Sequence, residues 1–555
     1  MEATAVRGAQ GMGEVRMDDL KTLIKGEIET EAAVLKNYSR DASLFEVMPQ
    51  AVVHPKDVED IKALVHYAAK NAESGVSLTV RAGGSDMGGG PLGESIILDS
   101  TAHFSKIGGV EGDEITVEPG VFYRDFEKVT LAKNLLLPCF PASRELCTVG
   151  GMVANNAGGE KSLTYGKTNR YVRRLKAVLA DGNEYTVEPL SKSELEEKIK
   201  QNNFEGTLYR DLYQLLEDNY ELIQKSRPTV SKDSTGYALW NVWDKKTFDL
   251  TQLFVGSQGT LGIITEIKFA LVRPKPHAKL LVIFLHDLTH LALITKTMLS
   301  FKPESFESYD DHTLKLAVKY FPEILKSLKT NILSLAWKFI PEFSMILRGG
   351  MPKLILLVEF TGDNAEDVAI RSKAALESLS GLNVRKRLTH SRAEARKYWV
   401  IRRESFNLLR HHMRDVHTAP FIDDIVVRPE HLPEFLPKLE SVLAEYKLTY
   451  TIAGHVGDGN FHIIPLMNLK DPETKTIVFD LADKVYELVF AFKGSMSGEH
   501  NDGLIRSRFL PKMYGEQMYG LFKKTKEIFD PHNIFNPGKK IGTKIAYLKS
   551  HFETS

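Results

Sequence analysis

Cysteine is nearly absent from this sequence: the 555 residues hold two, Cys139 and Cys147. Two thiols cannot form a disulfide framework, nor ligate an iron–sulfur cluster within these residues. They fit a reducing compartment, so a cytoplasmic location is expected. An excess of one charge is missing too, because Lys+Arg and Asp+Glu stand equal at 72 each. That balance gives no electrostatic reason for a nucleic-acid partner. No apolar run reaches the length of a membrane-spanning helix. The most apolar stretch, Tyr320 to Leu347, is broken by Lys326, Lys329, Lys338 and Glu342. Met1 to Leu20 has no apolar core flanked by basic residues, so no signal peptide is read there. Peripheral contact with the inner face of a membrane, through Tyr320 to Leu347, remains compatible with the sequence; so does core packing of that stretch, and so does a homodimer.

What is present is the composition of a globular protein, 43% hydrophobic and 26% charged, in a chain long enough for two or three domains. Residues 18–37 predict one charged helix, and Asp57 to Lys70 an amphipathic one with Val58, Ile61, Leu64, Val65 and Ala68 on one face. Strands are predicted at Ser77–Val80, Ser95–Asp99, Glu114–Val117 and Leu175–Ala180. Pro274-Lys-Pro276 marks a boundary. Beyond it, strands at Leu280–Leu285 and Leu354–Phe360 alternate with a helix at Asn364–Leu379, the texture of an α+β domain with an antiparallel sheet.

Two glycine clusters stand out. Arg81-Ala-Gly-Gly-Ser-Asp-Met-Gly-Gly-Gly90 lies between two strands, where a Walker or Rossmann loop would instead open a helix. Such a loop can turn successive N–H groups inward as a nest for a pyrophosphate. The second cluster, Pro141 to Gly159, carries Gly150-Gly151 and Gly158-Gly159, and a third segment runs from Gly256 to Thr265.

Further on, Thr449 to Pro465 contains Gly-His455-Val-Gly-Asp-Gly-Asn-Phe-His462. Asp458-Gly459 between β-prone runs predicts a two-residue type I′ hairpin, which sets His455 directly opposite His462. Cβ atoms so placed are about 4.5–5.5 Å apart, close enough for two imidazoles to meet one ion. A divalent metal, zinc or else Mn, Fe or Co, suits two nitrogens plus an oxygen with a position left open.

At these residues the sequence resembles the vanillyl-alcohol-oxidase (PCMH) type of FAD-linked oxidases and dehydrogenases, in the D-lactate, glycolate and D-2-hydroxyglutarate dehydrogenase branch. The resemblance runs from about Tyr38 to Lys540. It implies an α+β fold: a two-subdomain FAD-binding domain, an inserted α+β cap for the substrate, and a C-terminal segment returning to the flavin. The corresponding division is 1–44 as an N-terminal helical segment, 45–275 for FAD, 276–500 for the cap with the metal hairpin, and 501–555 to complete the flavin site. Arg81, Gly83, Gly84, Ser85 and Asp86 would hold the FAD pyrophosphate side. Pro141, Ser143, Thr148, Gly150, Gly151, Asn155, Gly158, Gly159, Gly259, Gly262 and Ile264 would line the rest, with Asn536 and Lys539 near the ring. No His or Cys stands in the first loop, so the FAD should be non-covalent.

The resemblance also implies Glu499 of Gly498-Glu-His500 as the metal's oxygen ligand and His500 as the base. Both reach one pocket only if the backbone turns there. Trp399-Val-Ile-Arg402 would place Arg402 on the substrate carboxylate, with Arg403 beside it. The implied reaction is oxidation of a small D-2-hydroxy acid, D-lactate first, by metal-assisted hydride transfer to flavin N5. Electrons then pass to a separate acceptor: an iron–sulfur protein, an electron-transfer flavoprotein or a quinone. Two rival readings are a non-redox transferase of the alkylglycerone-phosphate-synthase type and a non-catalytic flavin subunit of an electron-transfer complex.

Overall fold

The computed structural model describes residues 15–319, 350–412 and 416–553, with the side chains of 316–319 and 403–412 left out. Residues 320–347, read above as core or docking surface, and the side chain of Arg403 lie outside the described set.

The first sheet contains β1 (Glu27–Glu29), β2 (Ala51–His54), β3 (Leu78–Arg81) and β4 (Ile96–Asp99), in the order β1-β2-β4-β3. Both β2 and β3 run parallel to β4. Parallel neighbours need a crossover of about a dozen residues or more. The helix Val58–Lys70 serves between β2 and β3, capped by the Asp57 side chain. Between β3 and β4 the crossover is the glycine loop itself.

The single helix expected over residues 18–37 is instead a helix at Met17–Leu23, strand β1, and a helix at Ala32–Tyr38. Gly26 explains the break. A Cβ there would stand 2.0 Å from the carbonyl oxygen of His54, so the chain lies against β2 at that point.

The second sheet is antiparallel. It combines β5 (Ile107–Glu111), β6 (Glu114–Val117), β7 (Val172–Val178) and β8 (Glu184–Val187). After a two-stranded ribbon of β9 (Leu190–Ser191) and β10 (Thr247–Phe248), β11 (Ile263–Ala270) enters its centre between β6 and β7.

The third sheet has eight strands: β12 (His277–Leu285), β13 (Ser305–Asp310), β14 (Leu354–Gly362), β15 (Arg385–Leu388), β16 (His417–Thr418), β17 (Ile425–Val426), β18 (Thr449–His455) and β19 (Asn460–Met467). Strand β12 is covered on both faces. Leu281, Ile283 and Leu285 enter one core, while Leu280, Val282 and Phe284 enter another with Tyr398, Trp399 and Ile401. This is why it reads as a continuous apolar run rather than an alternating one.

The chain end returns to the first sheet. Leu78 N–H donates to Ile534 O, and Asn536 N–H to Leu78 O, at 2.7 and 2.8 Å. Lys540, fully buried, donates to Gly236 O, Asn501 Oδ1 and Asp502 Oδ2. Among the described residues no helix is long and apolar enough to cross a membrane.

The Lys540 contact makes a direct stability prediction. Lys540→Met leaves Asp502 buried and unpaired, which should cost about 3–5 kcal/mol. Urea unfolding followed by circular dichroism would measure it; a loss below about 1 kcal/mol would show the pair to be expendable.

Candidate functional site

Strands β13, β18 and β19 lie side by side, and one face of them carries the polar cluster. In this register Ala453 pairs with His462, and His455 pairs with Asn460. The expected direct opposition of His455 and His462 is therefore not found: they sit on the same face but diagonally, ring centroids 5.3 Å apart. The turn is also different. Val456–Asp458 forms a short 3-10 turn, and Gly459 alone takes positive φ, at 67°. A type I′ turn needs positive φ at both central residues. Asp458 does not supply it; its carboxylate lies 3.3 Å from the Lys232 ammonium.

Every residue of β13 is buried, so Glu307, 1% exposed, needs donors to offset desolvation. His455 Nδ1 supplies a hydrogen bond at 2.6 Å, and Arg402 Nη2 an opposite charge 3.1 Å away. Arg402 is set there by the helix Arg392–His412, whose Tyr398, Trp399 and Ile401 pack on β12. The carboxylate anchor read from the sequence is thus already half of a buried ion pair.

On the other side Asp423, fully buried, accepts from His462 Nδ1 at 3.0 Å and lies 2.7 Å from His500 Nδ1. Both His455 and His462 commit Nδ1 to a carboxylate and turn Nε2 toward Glu499 Oε1, at 3.2 and 3.5 Å. Nε2 is thus the ring atom of each that faces Glu499, the arrangement a metal-bound imidazole uses. His455, His462 and Glu499 therefore present one donor atom each to a common point, the set for a divalent ion with an open position. Asp423, His462 and His500 form an overlapping group, but there the Nδ1 atoms are already engaged with the carboxylate.

The electrostatics are those of a cation-seeking site. Burial works against a charged His462, yet Asp423 and Glu499 outweigh it and raise its pKa to about 10. Burial likewise opposes ionisation of Glu499, but Lys232 and His455 hold its carboxyl well below the usual range.

Adjacent Glu499 and His500 both reach the pocket because the backbone turns there, as required. Asp424, itself at φ 67°, accepts from the backbone N–H groups of Glu499 and His500 at 2.9 and 2.7 Å and from Ser497 Oγ at 2.6 Å. Asn501, at φ 66°, completes the turn and donates to Asn155 O and Gly256 O. Sequence reasoning missed Glu307, Asp423, Asp424 and Lys232. For the first three a signal existed, namely acids flanked by large apolar residues, Phe306-Glu307 and Ile422-Asp-Asp-Ile425, since a buried acid needs partners.

From this cluster a cavity of about 1380 Å³ extends along both glycine loops. Ligand pockets for small molecules run to about 1,000 Å³, so this one has room for a larger group beside a small substrate. Arg81, Gly83, Gly84, Ser85, Asp86, Pro141, Ser143, Thr148, Gly150, Gly151, Asn155, Gly259, Gly262 and Ile264 line it, as do Arg402, His455, His462, Glu499 and His500.

Four expected residues do not line it. Gly158 backs onto Glu499, and Gly159 onto the Phe140 carbonyl. Asn536 donates to Gly90 O and Gln258 O, bracing two loops, and Lys539 donates to Leu92 O. Two lining residues face elsewhere than expected. Asp86 accepts from the N–H groups of Gly88 and Gly90 in its own loop, at 3.2 and 2.7 Å. A carboxylate beside a pyrophosphate would be repulsive, so it acts as a staple. The Arg81 guanidinium donates to the carbonyls of Tyr38 and Arg40.

At two of the lining glycines the cavity wall leaves no space for a side chain. A Cβ on Gly83 would come 2.3 Å from Leu146 O, and one on Gly150 2.5 Å from Pro119, so the two loops and the wall behind them are in backbone contact.

The FAD binding domain family matches residues 49–188, and the C-terminal domain of FAD linked oxidases matches 275–540. A D-2-hydroxyglutarate dehydrogenase from Pseudomonas putida is 28% identical over 93% of this chain, which spans about half (50%) of that protein's length. A D-lactate dehydrogenase from Anaerostipes hadrus is 27% identical over 88% of this chain and 89% of its own. In fold, p-cresol methylhydroxylase with substrate bound superposes with a TM-score of 0.66 at 15% identity, covering 94% of this chain and 95% of that one.

Cys147 is the one cysteine lining the cavity; burial pushes its thiol up to about 12, away from the reactive thiolate. Acid precipitation of the protein should therefore leave flavin in the supernatant. A washed precipitate that stays yellow would contradict non-covalent binding.

Proposed function

Since this chain joins the FAD binding domain to the C-terminal domain of FAD linked oxidases and belongs to that flavoprotein family, we propose that it oxidises a small D-2-hydroxy acid to the 2-oxo acid. The observation that carries this reading is the conjunction in one cavity of Arg402, the His455–His462–Glu499 donor set and His500 with both glycine loops. When bound, FAD supplies the two-electron acceptor and a divalent cation supplies a Lewis acid.

The chain's own residues do the rest. Arg402, steadied by Glu307, holds the substrate carboxylate through its planar fork. His455, His462 and Glu499 would hold the cation, whose Lewis acidity would act on the α-hydroxyl. His500, its Nδ1 against Asp423, presents Nε2 to take the hydroxyl proton. The names of the similar dehydrogenases support the substrate class. The acceptor that takes the electrons lies outside these residues on this reading, since two buried cysteines cannot hold a cluster.

The side chain of the acid is proposed to be small and uncharged, D-lactate first. Beyond His462 the same sheet face carries Ala453 and then the Thr451–Ile464 pair, all cavity-lining and none charged. Arg396, exposed at the cavity, is the described cation beside Arg402 that a second carboxylate would meet.

Anaerobic addition of D-lactate should bleach the flavin. If D-2-hydroxyglutarate bleaches it instead and Arg396→Ala abolishes that, the small-side-chain reading fails and the 2-hydroxy-acid reading stands. If no D-2-hydroxy acid bleaches it, both fail.

The two roles separate kinetically. Arg402→Ala should raise KM and lower kcat/KM. His500→Ala should mainly lower kcat, by about 10²–10⁴. Wild-type constants in either variant would remove that assignment.

A further inference from the structure

Lys232 is among the most deeply buried charged groups in the molecule, its side chain 2% exposed, and it does not line the cavity. Its ammonium lies 3.2 Å from Glu499 Oε2 and 3.3 Å from Asp458 Oδ2. The two oxygens of Glu499 are therefore divided: Oε2 belongs to Lys232, while Oε1 faces His455 Nε2 and His462 Nε2 at 3.2 and 3.5 Å.

We propose that Lys232 is a positioning residue that restricts Glu499 to one-oxygen ligation of the divalent cation, keeping a coordination position open and the cation electron-poor. The proposal rests on the metal reading given above. Three consequences follow from the geometry. A carboxylate can close on a cation with both oxygens only if both are free, and here the second oxygen is held by a full positive charge in a water-poor interior. Sharing its negative charge with an ammonium, Glu499 donates less to the cation, which sharpens its pull on the substrate hydroxyl. Because the same ammonium holds Asp458, in the turn between His455 and His462, it also ties the third ligand to the loop joining the first two.

The test uses the full chain with its flavin, stripped of metal and titrated with Co²⁺, whose visible bands report coordination number. Lys232→Met should bind Co²⁺ at least as tightly as wild type, with altered bands, while kcat falls about 10–100-fold. Lys232→Arg, which keeps the charge, should retain the wild-type bands. Lys232→Met with Asp458→Asn leaves no unpaired acid in the loop, and so carries the same expectation if the single variant does not fold.

Wild-type bands in the Met variants would overturn the proposal. So would Co²⁺ affinity lost alike in the Met and Arg variants, the mark of a merely structural lysine. A wild-type protein that binds no Co²⁺ sinks the metal reading, and this proposal with it. Unchanged affinity with altered bands and depressed kcat cannot arise from loss of packing alone.

Discussion

Buried carboxylates organise this site. An acid taken out of water must be compensated by donors or by opposite charge, at a cost of several kcal/mol if it is not. Glu307, Asp423 and Asp424 are each 1% exposed or less, and each meets the requirement by capturing groups that the chemistry needs in fixed positions. Glu307 takes an imidazole and a guanidinium, and Asp423 faces two imidazoles. Asp424 takes two backbone N–H groups, a hydroxyl and the Asn460 amide. The satisfaction of these acids and the aiming of His455, His462, His500 and Arg402 are the same set of contacts.

The same logic joins distant parts of the chain. The turn carrying Glu499 and His500 is clamped to the third sheet by Asp424. It is held to the second glycine segment by Asn501, and to the chain's end by the Asp502–Lys540 pair. Lys540 lies in the segment that also braces the first glycine loop through Asn536. Cofactor cradle and donor cluster are thus positioned by one continuous network rather than by two rigid bodies meeting at a cleft.

How much of this was legible depends on the range of the interaction. Glycine loops between strands, the crossover helix and the Gly498-Glu-His500 motif are local, and their positions follow from sequence. The hairpin shows the limit. Hairpin pairing puts His455 and His462 on one face, but the loop between them is longer than two residues and packs against distant chain, Gly459 on the Val427 carbonyl and Asp458 beside Lys232, which no local pattern shows. The helix expected over residues 18–37 fails for a related reason, since Gly26 gives way to a contact with His54 that no local pattern announces. Asp86 and Asn536 were legible as members of glycine-rich motifs but not in their roles, because only the folded loops show whose N–H groups they face. Lys232 sits in an ordinary polar stretch, Ser231-Lys-Asp-Ser-Thr235, and nothing there signals burial.

The charge balance of the cluster gives the strongest physical argument for a cation. Five buried acids, Glu307, Asp423, Asp424, Asp458 and Glu499, surround it, and the described cations that face them include Lys232, Arg402, Arg506 and Lys167. The acids outnumber these four. The histidines respond accordingly: against the resistance of burial, the carboxylates raise the pKa of both His462 and His500. Protons on these imidazoles would offset the excess, but they would occupy the His462 Nε2 lone pair that faces Glu499 and leave His500 unable to accept another. On the reading proposed above, a divalent ion would offset that excess at one point and use the donor atoms in the direction they already face.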